Sequence, residues 1–282
     1  MRTLLAEAAR RLAEAGVDSP RVDAELLLSH VLGLSRTGLL TVEGVSTDDV
    51  ARYSVLVDQR GDRVPLQHLT GRAAFRYLEL AVGPGVFVPR PETEQLAGWA
   101  LERLAGTGAS VVVDLGAGSG ALALSIAHEH PAARVTAVER DAGAIEWTRH
   151  NAAARATAGD TPIEVIAGDM TDPALLPHLD GTVDLVVSNP PYVPDGARVP
   201  REVADHDPPL ALWGGPDGLD VVRGLLVTAA RLLRPGGWLG IEHADQQGGS
   251  LPALVRGHGG FADVEDHPDL AGRPRYTTGR RV

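Results

Sequence analysis

The chain has 282 residues, 44% hydrophobic and 22% charged, so it is a soluble globular protein of one or two domains rather than a disordered or fibrous one. Its net charge of -11 argues against a large non-specific grip on nucleic acid, which depends on neutralising phosphates with basic side chains. With no Cys there are no disulfides, thiol nucleophile or thiolate metal site, and the 26 basic residues are all Arg, a bias we assign to genome composition.

The N-terminal segment Met1 to Arg11 carries charges throughout and does not read as a signal peptide. Leu4, Leu5, Ala8, Ala9 and Leu12 recur at helical spacing, and Gly16 suits a helix stop. Asp18-Ser19-Pro20 then opens a second helix through Val22, Leu26, Leu27 and Val31 to Gly33. A third starts at Thr47-Asp48-Asp49 and runs through Val50, Tyr53, Leu56 and Val57 towards Arg60. These make a small all-helical unit. Its pattern fits a structural cap and a docking module for a macromolecular partner equally well.

From Val64 the style changes. Phe75 to Val82 alternates like a strand, Gly83-Pro84-Gly85 is a turn signal, and Val86-Phe87-Val88 resumes, which predicts a hairpin linking two domains. A helix opens near Glu92 and continues through Leu96, Trp99, Ala100 and Leu104. Beyond Ser110, apolar runs at 111–115, 135–138, 163–166, 183–187 and 238–241 are rich in Val and Ile, as buried parallel strands are. Helical stretches at 121–130, 142–156 and 219–233 lie between them, the last ended by Arg234-Pro235-Gly236-Gly237. This alternation predicts an α/β fold, a mostly parallel sheet with helices on both faces.

The ends of the strands carry the chemistry. Asp114-Leu115-Gly116-Ala117-Gly118-Ser119-Gly120 joins the first strand to its helix, with glycines where backbone must turn tightly and approach a ligand. The third glycine follows the second by two residues, unlike the G-x-G-x-x-G of dinucleotide-binding loops. That compression favours S-adenosylmethionine, which has no diphosphate to cradle. Glu139 ends the next strand about 20 residues on, where a carboxylate can accept both ribose hydroxyls. Such charge-assisted bonds contribute roughly 1.5–3 kcal/mol. The alternative for Glu139 is a solvated strand end. At the third strand end, Asp169 can bind an adenine amino group and Met170 can pack on the base. Ser188-Asn189-Pro190-Pro191-Tyr192 ends the fourth. Its prolines stiffen the backbone and hold an amide, a carbonyl and an aromatic ring in fixed relation. By itself this segment fits a proline turn as well as a clamp for a planar amino group.

Taken jointly, these segments resemble class I S-adenosylmethionine-dependent methyltransferases, and more narrowly the protein-(glutamine-N5) methyltransferases of the PrmC/HemK type, which modify peptide-chain release factors. Pro65-Leu66-Gln67-His68-Leu69-Thr70-Gly71 with Phe75, Val88-Pro89-Arg90-Pro91-Glu92-Thr93-Glu94, and Asn189-Pro190-Pro191-Tyr192 match the family's signatures. So do Pro209-Leu210-Ala211-Leu212 with Gly214-Gly215-Pro216-Asp217-Gly218, and Leu270-Ala271-Gly272-Arg273 resembles its C-terminal element. The resemblance implies a helical substrate-recognition domain (1–73), a β-hairpin linker (74–88) and a Rossmann-like catalytic domain (89–282). It implies cofactor contacts from the Gly116–Gly120 loop (Ala117 and Ser119 included), Glu139, Asp169, Met170 and Asn189, and a glutamine held by Asn189, Pro190, Pro191 and Tyr192. Relatives often have an aromatic residue where Met170 stands, so sulfur packing would replace ring stacking.

The expected partner is therefore a release factor, in the cytoplasm, bound by a monomer with no stable hold on nucleic acid, membrane or metal; His68 is expected to be structural. Rival readings are a glutamine methyltransferase acting on a ribosomal protein, an adenine-N6 methyltransferase sharing the Asn-Pro-Pro-Tyr loop, a non-catalytic cofactor binder and a Rossmann oxidoreductase. The acidic balance counts against the adenine enzyme, the complete set of loops against the non-catalytic protein, and the glycine spacing against the oxidoreductase.

Overall fold

A computed structural model describes all 282 residues. The chain divides into two compact units. The first comprises Met1–Arg72, Val82–Pro84 and Val199–Asp207, and the second comprises the rest.

The first unit is helical: α1 (Arg2–Glu14), α2 (Pro20–Leu32), α3 (Thr47–Gly61) and the short α4 (Leu66–Thr70). The limits of α2 are as the sequence suggested, whereas the cap of α3 falls on Ser46, one residue before the start expected at Thr47. Pro20 starts α2, Gly33 ends it in the left-handed conformation (φ 65°), and the Ser46 hydroxyl caps α3 by accepting from the Asp49 N–H. Leu5, Leu12, Leu27, Leu28, Tyr53 and Val57 form its core. Buried among polar groups is Arg60, which donates to Asp23 at 2.7 Å and to Glu202 at 2.7 Å. Glu202 lies on α8 (Arg201–His206), in the late segment 199–207 that the chain contributes to this unit.

The second unit begins with a hairpin of β1 (Arg72–Phe75) and β2 (Leu78–Ala81), starting one residue inside the first unit. The hairpin therefore lies earlier than the alternation suggested. It turns at Arg76-Tyr77, and no strand forms at 86–88. Arg76 has a positive φ of 51°, unusual for a side-chain-bearing residue. Its guanidinium is held by Glu129 and by the Glu94 carbonyl, and its N–H by the Glu94 carboxylate, so tertiary bonds impose a turn that lacks Gly, Asn or Pro.

Next come α5 (Thr93–Leu104), β3 (Val111–Leu115), α6 (Ala121–Glu129), β4 (Arg134–Glu139), α7 (Ala142–Thr157), β5 (Glu164–Ala167) and β6 (Val183–Ser188). After α8 follow α9 (Asp220–Leu232), β7 (Leu233–Glu242), α10 (Ser250–Gly257), β8 (Phe261–Pro268) and β9 (Pro274–Arg281). Seven strands form one sheet in the order β5-β4-β3-β6-β7-β9-β8. The first five are parallel, and β9 runs antiparallel to both β7 and β8. Successive residues of one strand feed opposite cores: Leu185 and Val187 join Leu96, Trp99 and Ile126, whereas Val186 joins Leu225, Leu226 and Val255. Both faces are covered, as the run of β-branched residues required.

Two further departures have local causes. Arg234 to Gly237, expected to end a helix, lies within β7 as an irregularity in its pairing with β6. Gly237 has no room for a side chain there, since a Cβ would come within 2.9 Å of the Val183 carbonyl. The β8–β9 pair went unpredicted because charged residues interrupt it: β8 reads Phe-Ala-Asp-Val-Glu-Asp-His-Pro, only its first residue fully buried.

Candidate active site

The order reverses beside β3, with β4 on one side and β6 on the other, which is where open parallel sheets bind ligands at their C-terminal edge. Three glycines of the β3–α6 loop have positive φ (Gly116 86°, Gly118 57°, Gly120 86°). A Cβ on Gly116 would lie 2.6 Å from the Met170 methyl and 3.9 Å from the Asn189 carbonyl oxygen, so this one residue brings the first, third and fourth strand ends together. A Cβ on Gly118 would meet nothing within 4 Å, leaving the loop's crest open. Thr148 and Asn151 of α7 support the loop from beneath, donating to the Gly118 carbonyl at 2.6 Å and the Ser119 carbonyl at 2.9 Å. Asn151 also pairs with both backbone groups of Ala81, which ties β2 to the same loop.

Glu139, at the end of β4, accepts from the Gly118 N–H at 2.9 Å and, through its other oxygen, from the N–H groups of Arg140 and Asp141. Its carboxylate is thereby fixed beside the glycine loop. Asp169 is engaged differently. One oxygen accepts from the Thr171 N–H and hydroxyl, and the other meets Arg140 at 3.2 Å. Burial works against its charge, but the Thr171 bonds and Arg140 outweigh it and hold the carboxyl below its ordinary range. Met170 is buried against the glycine loop. Asp114 is fully buried with one oxygen bonded to the Ala123 N–H and the other unpaired, and burial pushes its carboxyl up to about 7.

The loop that follows β6 is also held by several bonds. Ser188 donates to the Leu115 carbonyl, pinning β6 to β3 just before Asn189. Asn189 donates from Nδ2 to the hydroxyl of Thr93, the first residue of α5, at 3.2 Å. The Tyr192 carbonyl accepts from Gln247, which also donates to the Asp217 carbonyl. Glycines pack directly on this backbone: a Cβ on Gly218 would be 2.1 Å from the Tyr192 carbonyl oxygen, and one on Gly214 would be 2.6 Å from that of Pro191. Val193 exchanges backbone bonds with Leu212 and Gly214. The Tyr192 hydroxyl points at Glu242, 3.5 Å away at the end of β7. Burial raises the phenol's pKa well above its ordinary value, and the Glu242 charge adds to it.

Sequence reasoning had not singled out Thr93, Gln247 or Glu242 as functional. The strand-end rule applied to Glu139, Asp169 and Asn189 reaches Glu242 as well, once β7 is counted as the fifth strand. Gln247 carries no such signal, because its partners are backbone carbonyls.

Curated proteins aligned to the chain end to end decide the family. The release factor glutamine methyltransferase of Mycolicibacterium smegmatis is 50% identical over 282 residues, covering 100% of this chain and 98% of the relative. That of Streptomyces coelicolor is 51% identical, covering 99% and 97%. The chain belongs to the release factor glutamine methyltransferase family. Family models for the PrmC N-terminal domain and the methyltransferase small domain match residues 3–71 and 66–205 of this family member. Two solved methyltransferases share its fold. One, from Pyrococcus furiosus, has a TM-score of 0.55 at 20% identity over 79% of this chain and 98% of that one. The other, a Thermus thermophilus 16S rRNA N2 G1207 methyltransferase in complex with AdoMet and guanosine, has a TM-score of 0.53 at 24% identity over 75% and 50%.

Proposed function

We propose that this enzyme transfers a methyl group from S-adenosylmethionine to the side-chain amide nitrogen (N5) of a release-factor glutamine, the one in the Gly-Gly-Gln motif. The observation that carries the reading is the state of Asn189. With Nδ2 against Thr93, its Oδ1 is left as an acceptor at the strand end next to the glycine loop. An amide NH2 is the group such an acceptor suits.

Gly116 to Gly120, Ala117 and Ser119 included, would hold the amino-acid end of the cofactor, Glu139 its ribose, and Asp169 with Met170 its base. The open crest at Gly118 and the backbone-anchored Glu139 carboxylate fit such a ligand. When bound, the cofactor supplies an already activated methyl on a sulfonium, so no Ser, Cys or His nucleophile is required. An amide nitrogen is a weak nucleophile because its lone pair is delocalised. Asn189 Oδ1 and the Pro190 carbonyl accept its two N–H groups, aim the lone pair and favour the positive charge that gathers on nitrogen as the new N–C bond forms. Pro191 stiffens the loop, and Tyr192 packs against the flat amide. The displaced proton passes to water. Orientation of this kind can contribute roughly 7–11 kcal/mol.

The helical unit would grip the body of the release factor, which makes this a cytoplasmic enzyme. The test is transfer of labelled methyl to a purified release factor beside a version with the Gly-Gly-Gln glutamine replaced. Label on the first alone is expected. Label on both, or only on DNA, would overturn the reading.

A further inference from the structure

The edge of the large sheet opposite the glycine loop and the acceptor loop (Asn189 to Tyr192) holds a cavity of about 220 Å³, whose lining includes Arg103, Asp184, Arg234, Gly236, Trp238 and Arg280. Four elements supply these residues. Arg103 lies in the last turn of α5, Asp184 near the start of β6, Arg234 to Trp238 in the first half of β7, and Arg280 near the end of the antiparallel β9.

The three guanidiniums converge. Those of Arg103 and Arg280 both lie over the Trp238 ring, 5.3 Å and 5.8 Å from its centroid. Arg280 and Arg234 meet beside Gly236, where an added Cβ would stand 3.4 Å from Nη2 of the first and 3.7 Å from Nη1 of the second. Any other residue at 236 would put its side chain into the space between them.

Their charges are mostly unanswered. Only Arg234 has a carboxylate, Asp184 at 2.6 Å, whose other oxygen is taken by the Val111 N–H. Arg280 donates to the Gly236 carbonyl at 3.3 Å, and Arg103 rests on the Trp238 ring. This happens in a chain where 37 acidic residues outnumber 26 basic ones, so carboxylates were the commoner partners to hand. A cleft lined by one sign of charge concentrates the opposite ion. All three arginines are exposed, so that ion reaches them from solvent.

The geometry selects the anion. Guanidinium forks match the oxygens of carboxylates and phosphates. Here they arrive from α5, β7 and β9, and a tetrahedral group offers oxygens in as many directions, whereas the two oxygens of a carboxylate share a plane. The two unpaired positive charges also match the near-double negative charge of a phosphoryl group. The volume is below the roughly 300–1,000 Å³ of pockets that enclose a drug-sized ligand, which favours a small anion.

We propose that this cavity is a binding site for a phosphoryl anion, either free phosphate or the phosphate group of a small metabolite.

The experiment titrates the full-length protein calorimetrically with inorganic phosphate and with ribose 5-phosphate. Thermal melts accompany it in potassium phosphate, chloride and acetate at equal ionic strength. One saturable site is expected, with a melting temperature that climbs with phosphate concentration as ligand linkage requires. Arg103→Gln and Arg280→Gln should each weaken phosphate binding at least about tenfold. Arg10→Gln, which removes a guanidinium already paired with Glu7 and Glu14, should leave it unchanged. Tighter binding of ribose 5-phosphate than of phosphate identifies a metabolite as the source, and the reverse identifies the free ion. Arginines that merely shield Trp238 would lower the melting temperature equally in all three salts and leave the phosphate increment intact, which overturns the proposal. So does the absence of saturable phosphate binding, acetate binding as tight as phosphate, or a single-stranded oligonucleotide that binds more tightly than either phosphate compound. Arg103 makes no hydrogen bond to lose, so Arg103→Gln decides the matter should Arg280→Gln fail to fold.

Discussion

In the proposed mechanism the chemistry converges on Asn189, whose side chain has one structural bond to lose, that to Thr93. Asn189→Ala is therefore expected to cut methyl transfer by about 10²–10³-fold, as loss of an oriented transition-state contact does. The melting temperature should stay within a few degrees of wild type; initial rates and a thermal melt check both. Asp114 makes the opposite kind of prediction, about stability. Its carboxyl stands near 7 when folded, so the folded state holds a proton that the unfolded chain releases above pH ~4. Stability contributed this way is present at low pH and lost as pH rises from about 4 to 7, by up to roughly 4 kcal/mol at ~1.4 kcal/mol per unit. Urea unfolding at pH 5 and 7.5 should show the part of that fall lying between them, about 2.5 kcal/mol, in wild type and a smaller one in Asp114→Asn. At this scale the sequence was legible where a side chain ends a strand, as Glu139 and Asn189 do. Thr93 lay within a recognised signature, yet its bond to Asn189 joins residues 96 apart, and no spacing rule reaches that far.

At the scale of elements, the acceptor loop takes its shape from the glycine-rich segment 214–218. Gly218 and Gly196 both have φ +74°, so alanine pays the same backbone strain at either, about 1–2 kcal/mol. They differ in surroundings. A Cβ at Gly196 meets nothing within 4 Å, whereas one at Gly218 collides with the Tyr192 carbonyl. Gly196→Ala should keep most of the methylation rate, and Gly218→Ala should lose at least about tenfold while costing more stability than strain alone. Comparing the two rates after normalising for folded fraction separates loop distortion from unfolding. Elements with clear local limits, β3 and α7 among them, were readable almost to the residue, because a buried apolar run or a capped helix states its ends locally. The Arg76 turn and the β8–β9 pair were not. The first depends on Glu94 and Glu129, and the second on pairing with β7 at the far edge of the sheet.

Over the whole molecule, the two units are not two consecutive stretches of chain. Arg60 is buried with Asp23 and Glu202, and Glu202 comes from a segment that follows the acceptor loop by a few residues. Glu202→Ala removes one of two charged bonds to that guanidinium and should cost about 1.5–3 kcal/mol. Amide hydrogen exchange is expected to quicken first in α8, and an unchanged α8 would count against this account. The fold class was legible from the alternation of strands and helices. This excursion was not, since α8 has six residues and the partner that fixes it lies 142 residues earlier.

The same excursion bears on how the chain is made. A ribosome delivers the N-terminus first, and domains built from consecutive residues can close as soon as they emerge. Here α1 to α4 are synthesised early, but the helical unit gains its last piece only after residue 207 of 282. Until then Arg60 has Asp23 as its sole carboxylate among the groups it bonds. The unit at the N-terminus would thus be completed late in synthesis, only after the acceptor loop itself had been made.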